Sequence, residues 1–406
     1  MSNPLQEKTI LLGVTGSIAA YKAADLASRM SQAGARVDTI LTRSAQQFIA
    51  PLTFQSVTGK RAYTEDDLWG HEGHVLHIGL ARSADLLVVA PASANTLAKI
   101  AQGIADNLLT VTALAADCPL LVAPAMDGGM YAHPATQANL ETLRARGTIL
   151  VGPAEGHLAS GLRGVGRMVE PVELLGHIRL ALGRNGPLAG KRVLITAGGT
   201  QEPIDPVRVI TNLSSGKQGF ALAQAALDSG AQVTLISAPV AQDTPVGAEL
   251  LEVRTARQMS NAVQEVARQA DVLIMAAAVA DFQPADPAGE KIKRSDGIPQ
   301  IRLEAAPDIL AAVSELKRES GCPRVTVGFA AESQDLLQNA SAKLNAKNLD
   351  LIVANDISAN DAGFAVDTNR VTLLDADGGV EELPLLSKFK VAEHVLSRIV
   401  DLLEAG

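Results

Sequence analysis

Residues 190–219 read GKRVLITAGGTQEPIDPVRVITNLSSGKQG, and this stretch decides the fold of the second half of the chain. Its apolar run 193–196 is short and bounded by glycines, which predicts a buried parallel strand ending in a tight turn. Ser214, Ser215 and Gly216 then precede a helical pattern of apolar residues. Backbone amides at such a helix start can bind a phosphate, although an ordinary loop and helix cap would have the same composition. This strand–loop–helix unit therefore predicts binding of a nucleotide or a phosphorylated substrate.

The same arrangement occurs once before, near the start of the chain. Residues 9–14 are typical of a strand, 18–33 of a helix and 37–41 of a second strand, with Gly16 and Ser17 in the intervening turn. Such a βαβ unit places its ligand at the carboxyl ends of the strands, where Gly16 and Ser17 would cradle a phosphate and Thr42 could add a hydroxyl. The three-glycine dinucleotide fingerprint is missing, so a mononucleotide is the better prediction.

Further strands are predicted at 85–90 and 120–123. Ser93, Asn95 and Thr96 follow the first of these, and their hydroxyl and amide groups suit a ring or a phosphate as well as a plain helix cap. A turn-rich joint at 183–187 divides the chain into domains 1–186 and 187–406. The predicted fold class is α/β, with two consecutive doubly wound, mostly parallel, Rossmann-like sheets.

Composition excludes several classes of function. The net charge of −9 argues against binding of nucleic acid, which needs a basic surface. Cys118 and Cys322 are the only cysteines, so no disulfide framework or cysteine zinc site is expected. The N-terminus lacks a signal-peptide pattern, and no apolar run reaches the roughly 18 residues of a membrane span. We therefore expect a cytoplasmic protein without a membrane partner.

Several polar residues could carry chemistry or simply face solvent. His71, His74 and His77 are spaced by three, but the outer two diverge on a helix, so a functional histidine among surface ones is favoured over a metal site. Asp281 follows a predicted strand at 271–276 and could accept hydrogen bonds from a base or ribose, or lie there through close packing alone.

Three lysines in the second half could likewise either carry chemistry or simply face solvent. Lys291 lies in the charged segment GEKIKRSDG, which is typical of a mobile solvated loop. Lys343 and Lys347 share one face of a predicted helix, where like charges repel mildly unless an anion such as a triphosphate lies between them.

Motifs along nearly the whole chain resemble the bifunctional phosphopantothenoylcysteine decarboxylase/phosphopantothenate–cysteine ligases of coenzyme A biosynthesis. Those similar to the flavoprotein-like decarboxylase half are GVTGSIAAYKA (13–23), HIGLA (77–81), APASANT (90–96), PAMDGGM (124–130) and GHLASGLRGVGRM (156–168). Those similar to the ligase half are ITAGGTQEPIDPVRVITNLSSGKQG (195–219), AAAVADF (276–282), KIK (291–293), GFAAE (328–332) and residues 343–356. These motifs occur along the chain in the same order as in that family.

For the first half, the resemblance implies FMN-dependent decarboxylation of 4′-phosphopantothenoylcysteine. It implies acid–base or substrate-orienting work for His77 and a flavin that first oxidises and later reduces the substrate's cysteine side chain. The residues that it assigns to FMN are Gly16, Ser17, Thr42, Ser93, Asn95, Thr96 and Met126.

Two catalytic positions depart from the family pattern. Asp127 stands where the PAMN motif has Asn, and Ser160 stands where a proton-donating Cys is usual. An ionised Asp would repel the substrate carboxylate, and a serine hydroxyl is a far poorer acid than a thiol. We interpret these changes as a pair in which Asp127 is protonated or bridged by a cation, with Arg163 and His133 nearby in sequence. Ser160 or water would then deliver the proton; the alternative is a degenerate flavin domain.

For the second half, the resemblance implies ligation of L-cysteine to 4′-phosphopantothenate through an acyl-cytidylate, with magnesium screening the phosphates of CTP. Asn212 would hold the acyl intermediate, and Lys291 would stabilise transferring charge. The CTP-binding residues implied are Ala276, Ala277, Asp281, Lys291, Pro307, Asp308, Ile309, Leu310, Phe329, Lys343 and Lys347. The family also suggests trimeric flavin domains and dimeric ligase domains. The alternative function is a CTP-dependent ligase fused to a decarboxylation-incompetent flavin-binding domain with a regulatory or assembly role.

Overall fold

A computed structural model describes residues 3–69, 73–332, 335–356 and 366–405, apart from the side chains of residues 73, 74, 296, 331, 332 and 356. These residues form two compact units, and the chain passes from one to the other between Leu182 and Gly183. Gly183 is the first residue of the joint that the sequence indicates. None of the described helices has the length and apolar character that a bilayer crossing requires.

The first unit contains a six-stranded sheet in which every pair of neighbours is parallel. Its strands are β1 (Thr9–Val14), β2 (Arg36–Leu41), β3 (Ala62–Tyr63), β4 (Leu86–Ala92), β5 (Leu120–Pro124) and β6 (Ile149–Leu150). A separate antiparallel hairpin follows, formed by β7 (Ala154–His157) and β8 (Arg163–Arg167). The helices are α1 (Ala20–Gln32), α2 (Pro51–Thr58), α3 (Gly73–Ser83), α4 (Ala94–Gln102), α5 (Leu108–Ala115), α6 (Gly128–Ala132), α7 (Pro134–Ala145) and α8 (Pro171–Gly183).

Helices cover both faces of this sheet. Successive side chains of each strand point to opposite faces, so both faces carry apolar side chains that the helices bury. In β1, Leu12 packs into a core that includes Leu26 of α1, whereas Leu11 packs into a second core that includes Leu108 of α5. Burial on both sides explains why these strands are continuous apolar runs rather than alternating ones. The strand order β3-β2-β1-β4-β5-β6 reverses between β1 and β4, and ligands of such sheets bind at that point.

The second unit repeats the plan around an eight-stranded sheet, in the order β13-β12-β9-β14-β17-β18-β20-β21. Its strands are β9 (Arg192–Ala197), β10 (Gln201–Asp205), β11 (Arg208–Thr211), β12 (Gln232–Ser237), β13 (Glu249–Glu252), β14 (Val272–Met275), β15 (Phe282–Pro284), β16 (Leu303–Ala305), β17 (Val325–Glu332), β18 (Leu351–Asp356), β19 (Thr368–Asn369), β20 (Val371–Asp375), β21 (Val380–Glu382) and β22 (Leu386–Ser387). The helices are α9 (Lys217–Asp228), α10 (Ala256–Ala267), α11 (Ile309–Ser320), α12 (Leu336–Ala346) and α13 (Lys388–Ala405).

Along this order, the six strands β13, β12, β9, β14, β17 and β18 are parallel, and β20 and β21 add an antiparallel edge. The predicted α/β class with two doubly wound, mostly parallel sheets is confirmed. A hairpin around Gly378 pairs Val371–Asp375 with Val380–Glu382. The sequence pattern did not indicate the hairpin β10–β11, which lies between the glycine turn after β9 and helix α9.

Candidate active sites

The first unit brings two of the predicted binding loops together where its strand order reverses. Thr15, at the end of β1, is 1% exposed, and its Oγ1 donates a hydrogen bond to the carbonyl oxygen of Pro91 at 2.7 Å. The same oxygen accepts a hydrogen bond from the backbone N–H of Ser93 at 2.9 Å. One hydroxyl therefore joins the turn after β1 to the loop after β4.

The turn at Gly16 and Ser17 packs closely against the loop after β2. A Cβ on Gly16 would lie 2.5 Å from the Cβ of Ser44, so a larger residue would displace the loop after β2. In that loop the Oγ1 of Thr42 accepts a hydrogen bond from the N–H of Ala45 at 3.2 Å. Helix α1 begins at Ala20 rather than at residue 18, so Ser17 lies in a preceding turn and is not the cap of the helix.

Ser93 is a helix cap, which was one of the two interpretations of this loop. It is the N-cap of α4, and its Oγ accepts the N–H of Thr96 at 3.3 Å. Thr96 is buried beneath this turn, whereas Asn95 is exposed. The amino end of α4 thus faces the carboxyl end of β4 with one polar side chain available to solvent.

Asp127 and Ser160 are in direct contact although 33 residues separate them. The Oγ of Ser160, in the turn of the β7–β8 hairpin, donates to Asp127 Oδ2 at 2.6 Å, and the N–H of Gly129 donates to Asp127 Oδ1 at 2.9 Å. The hydrogen bond from Ser160, followed by that from Gly129, lowers the pKa of Asp127 below its ordinary value. These hydrogen bonds favour the ionised carboxylate over the protonated form, which was one of the two states that we expected for Asp127.

The two cations expected to bridge Asp127 have other partners. Arg163 Nε lies 3.5 Å from Glu155 Oε1, and His133 Nδ1 accepts the N–H of Ala135 at 3.2 Å. Arg163 does, however, line a cavity of about 340 Å³ together with Asp127 and apolar residues of the hairpin turn. The backbone N–H of Met126 donates to Gly166 O at 2.9 Å and so fixes the hairpin to the PAMD loop.

His77 lies on α3 and is half-buried. Its Nδ1 is buried and has no hydrogen-bond partner among the residues that the structure describes, which is uncommon for a buried polar atom. Among the histidines spaced with it, His71 and the side chain of His74 lie outside the described residues. Within the part of the chain that the structure describes, no group of three or more His, Cys, Asp or Glu side chains could hold a metal ion.

In the second unit, the point of reversal lies between β9 and β14. Gly199 forms a parallel bridge with Ala278, and a Cβ on Gly199 would lie 2.6 Å from the carbonyl oxygen of Asn212. Asn212 Nδ2 donates to the carbonyl oxygens of Ala278 and Val279 at 3.3 and 3.2 Å. Asn212 is therefore fixed against the AAAVADF loop, in which Ala276 and Ala277 are half-buried and Asp281 is exposed.

The predicted nucleotide residues near α11 and α12 are joined by polar contacts. Lys347 forms an ion pair with Asp308, whose Oδ1 caps α11 by accepting the N–H of Ala311 at 3.0 Å. Burial raises the pKa of Asp308, but the hydrogen bond from Lys347 and the cap outweigh it, so that the net shift is downward. Lys343 Nζ donates to the carbonyl oxygen of Phe329 at 2.9 Å.

The neighbours of Asp308 contribute differently. Ile309 is 4% exposed and Leu310 packs against the same hydrophobic core, so the side chains of both residues support α11. Pro307 is half-buried just ahead of the cap.

Lys291 is exposed, and among the described residues no hydrogen bond or ion pair joins it to Asn212, Lys343 or Lys347. Its segment is not a free loop, because the N–H of Ile292 donates to Asp205 Oδ2 at 3.3 Å. Sequence reasoning missed Asp205 and Thr15. The available signal for Asp205 was an Asp followed by Pro, a combination typical of turns.

Two family models match the chain in succession. The model described as "Flavoprotein" matches residues 1–182, and the model described as "DNA/pantothenate metabolism flavoprotein C-terminal domain" matches residues 188–403. The chain is similar to "Coenzyme A biosynthesis bifunctional protein CoaBC" of Bacillus subtilis (strain 168), with 47% identity over 401 residues that cover 98% of each chain. The protein of the same name from Vibrio cholerae is 46% identical and covers 97% of this chain and 98% of its own.

A solved structure of the C-terminal domain of such a protein also matches. It is 40% identical, covers 54% of this chain and 100% of its own, and has a TM-score of 0.47.

Proposed function

Because the chain belongs to the family of coenzyme A biosynthesis bifunctional proteins, we propose that it catalyses two consecutive steps of coenzyme A synthesis. The first step is CTP-dependent ligation of L-cysteine to 4′-phosphopantothenate. The second is FMN-dependent decarboxylation of 4′-phosphopantothenoylcysteine to 4′-phosphopantetheine. The observation that carries this proposal is the similarity over almost the full length of both chains, which includes both units.

The residues of the first unit fit a flavin mononucleotide. The turn at Gly16 leaves no space for a Cβ, and the turn lies beside the amino end of α4, where backbone amides suit a phosphate. We assign FMN to Gly16, Ser17, Thr42, Ser93, Asn95, Thr96 and Met126. Bound FMN would supply a two-electron acceptor and donor next to the substrate.

His77 is the proposed acid–base or orienting residue of the decarboxylase. Its buried Nδ1 has no partner in the described part of the chain, so a polar group of a bound molecule would satisfy it. An imidazole can accept a proton and return it within one catalytic cycle.

We propose that Asp127 and Ser160 act as a pair that closes the hairpin over the cavity. Ser160 donates its single proton to an ionised Asp127, so this arrangement favours water over Ser160 as the source of the final proton. The Asp127 side chain would also repel the carboxylate of the substrate, unless Arg163 on the cavity wall offsets the negative charge of Asp127. The alternative of a decarboxylation-incompetent flavin domain is not favoured, because the relatives over the full length are named as bifunctional.

For the ligase we propose that the carboxylate of 4′-phosphopantothenate attacks the α-phosphate of CTP, releasing pyrophosphate and forming an acyl-cytidylate. The amine of cysteine then attacks the acyl carbon and releases CMP. Asn212 would hold the acyl intermediate, since two backbone carbonyls fix the orientation of its amide. Lys291 would stabilise the transferring charge.

The CTP residues proposed are the half-buried Ala276 and Ala277, the exposed Asp281, Lys291, Phe329, Lys343, Lys347 and the 307–310 segment that begins α11. Lys347 would exchange its ion pair with Asp308 for the triphosphate, and magnesium would arrive with CTP. We further propose cytoplasmic location, trimeric flavin domains and dimeric ligase domains, as the family suggests.

The two halves can be tested separately. The purified protein should be yellow and release FMN on denaturation, and it should release carbon dioxide from 4′-phosphopantothenoylcysteine. With 4′-phosphopantothenate and cysteine it should release pyrophosphate from CTP and far less from ATP. A colourless protein that does not bind added FMN would refute the first half, and equal use of ATP and CTP would refute nucleotide selectivity.

A further inference from the structure

The turn between β10 and β11 contains a buried carboxylate with two separate sets of partners. Asp205 is 3% exposed, and its Oδ1 accepts the backbone N–H groups of Val207 and Arg208, each at 2.9 Å. These two hydrogen bonds close the turn, as Asp commonly does. The second oxygen, Oδ2, reaches a distant part of the chain by accepting the N–H of Ile292 at 3.3 Å.

Arg208 completes the contact from the other side of Ile292. Its Nη2 donates to the carbonyl oxygen of Ile292 at 2.6 Å, and its Nε lies 3.4 Å from Asp205 Oδ2. Asp205 and Arg208 together bind both backbone polar groups of one residue, and we call this arrangement the Ile292 clamp. A further hydrogen bond, from the N–H of Ala288 to the carbonyl oxygen of Ile204 at 2.9 Å, ties the same segment to β10.

The charge of Asp205 suits this task. Burial raises its pKa, but the hydrogen bonds from Val207 and Ile292 and the Arg208 charge lower the pKa further than burial raises it. The carboxylate is ionised at neutral pH, so both of its oxygens are acceptors.

We propose that Asp205 and Arg208 are positioning residues for the ligase reaction, holding Ile292 so that the adjacent Lys291 reaches the transferring phosphate from a fixed backbone. This inference rests on the proposed function, which assigns Lys291 to the ligase. The segment around Lys291 carries several basic residues, and the hydrogen bonds at Ala288 and Ile292 join its backbone to the β10–β11 hairpin. A misplacement of a catalytic group by about 1 Å can cost on the order of 100-fold in rate.

The variant Asp205→Asn separates the clamp from the turn. The amide oxygen of Asn can still accept the N–H groups of Val207 and Arg208. Its NH₂ group, in place of Oδ2, cannot accept the N–H of Ile292 and carries no charge toward Arg208. A matched control is Asp286→Asn, because Asp286 forms a 2.8 Å ion pair with Arg302 at an exposed position earlier in the same stretch of chain.

Four quantities measured on the full-length protein test the proposal. Trypsin should cut after Lys291 or Lys293 at least roughly tenfold faster in Asp205→Asn, because opening of the segment exposes these bonds. The kcat of CTP-dependent pyrophosphate release should fall about 10- to 100-fold. The KM for 4′-phosphopantothenate and the thermal midpoint should stay near the parent values, which a purely structural defect would not produce. Asp286→Asn should match the parent in all four quantities.

Three results would overturn the proposal. Cutting of Asp205→Asn at the parent rate would show that the clamp does not hold the segment. Faster cutting with the parent kcat would show that the clamp does not position Lys291. Absence of CTP-dependent pyrophosphate release in the parent protein would refute the ligase assignment and the positioning role with it, while the cutting rates would still decide whether the clamp orders the segment.

Discussion

The hydroxyl of Thr15 offers the sharpest test of the first unit, because one atom joins two of the loops assigned to FMN. Thr15→Val replaces the hydroxyl by a methyl group of similar size and removes both hydrogen bonds of the parent. It leaves the carbonyl of Pro91 and the N–H of Ser93 buried without their partner. Thr15→Ser keeps the hydroxyl and loses only the methyl group, so it is the matched control.

The size of the effect follows from the number of groups left unpaired. Each buried unpaired polar group costs about 1–3 kcal/mol, and partial access of water brings the expected total for Thr15→Val to about 2–4 kcal/mol. At about 1.4 kcal/mol for each factor of ten, the loop after β4 should open roughly 30- to 700-fold more often. Thr15→Ser should lose only about 1 kcal/mol, the cost typical of one buried methyl group.

Amide hydrogen exchange measured by mass spectrometry on peptides that contain Ser93 would report this opening. FMN affinity, measured by flavin fluorescence at equilibrium, should weaken at least about tenfold in Thr15→Val and change little in Thr15→Ser. Equal exchange and equal affinity in the two variants would refute the reasoning, because the hydroxyl would then not matter. A loss of FMN affinity without faster exchange would mean that Thr15 contacts the cofactor rather than joining the loops.

Three further predictions concern named pairs and one lysine. In a double-mutant cycle, Asp127→Asn and Ser160→Cys should each fail to speed formation of 4′-phosphopantetheine alone and should be non-additive together; strictly additive rates would contradict the pairing. Lys291→Gln should abolish ligase turnover with an unchanged circular dichroism spectrum, and an active variant would remove Lys291 from the mechanism. The Arg398 ion pair and hydrogen bonds lower the pKa of Asp375 below 3.8, despite burial, so stability from this pair is present above that pH and is lost as pH falls below it. Acid unfolding should therefore begin at higher pH in Arg398→Met than in the parent. Identical acid transitions in the two proteins would contradict this contribution of the Asp375–Arg398 pair.

Much of the fold could be predicted from the sequence because its central strands are buried on both faces. β1 and β9 are continuous apolar runs followed by a glycine turn, and this pattern has few alternatives. The hairpins β7–β8 and β10–β11 were not predicted, because their strands contain many polar or glycine residues. Their pairing depends on contacts with other parts of the unit, which local sequence does not encode.

The candidate sites, like the fold, could be predicted from the sequence only in part. The contact between Asp127 and Ser160 agrees with the sequence interpretation that they act together, since each departs from the family pattern in a complementary way. The protonated form of Asp127, one of the two states expected, is disfavoured because two hydrogen-bond donors contact the carboxylate, and donors favour the ionised form. The anchoring of Ile292 by Asp205 and Arg208 could not be predicted, because it joins residues far apart in sequence through backbone atoms.

The central claim is that one chain carries out both reactions, and the stoichiometry of the coupled reaction tests it most directly. FMN-loaded protein would be given CTP, 4′-phosphopantothenate and cysteine, and pyrophosphate, carbon dioxide and 4′-phosphopantetheine would be measured over time. We predict equal amounts of the three products after a short lag in which 4′-phosphopantothenoylcysteine builds up. Continued release of pyrophosphate with accumulating 4′-phosphopantothenoylcysteine and no carbon dioxide would contradict the claim and leave the ligase as the only activity.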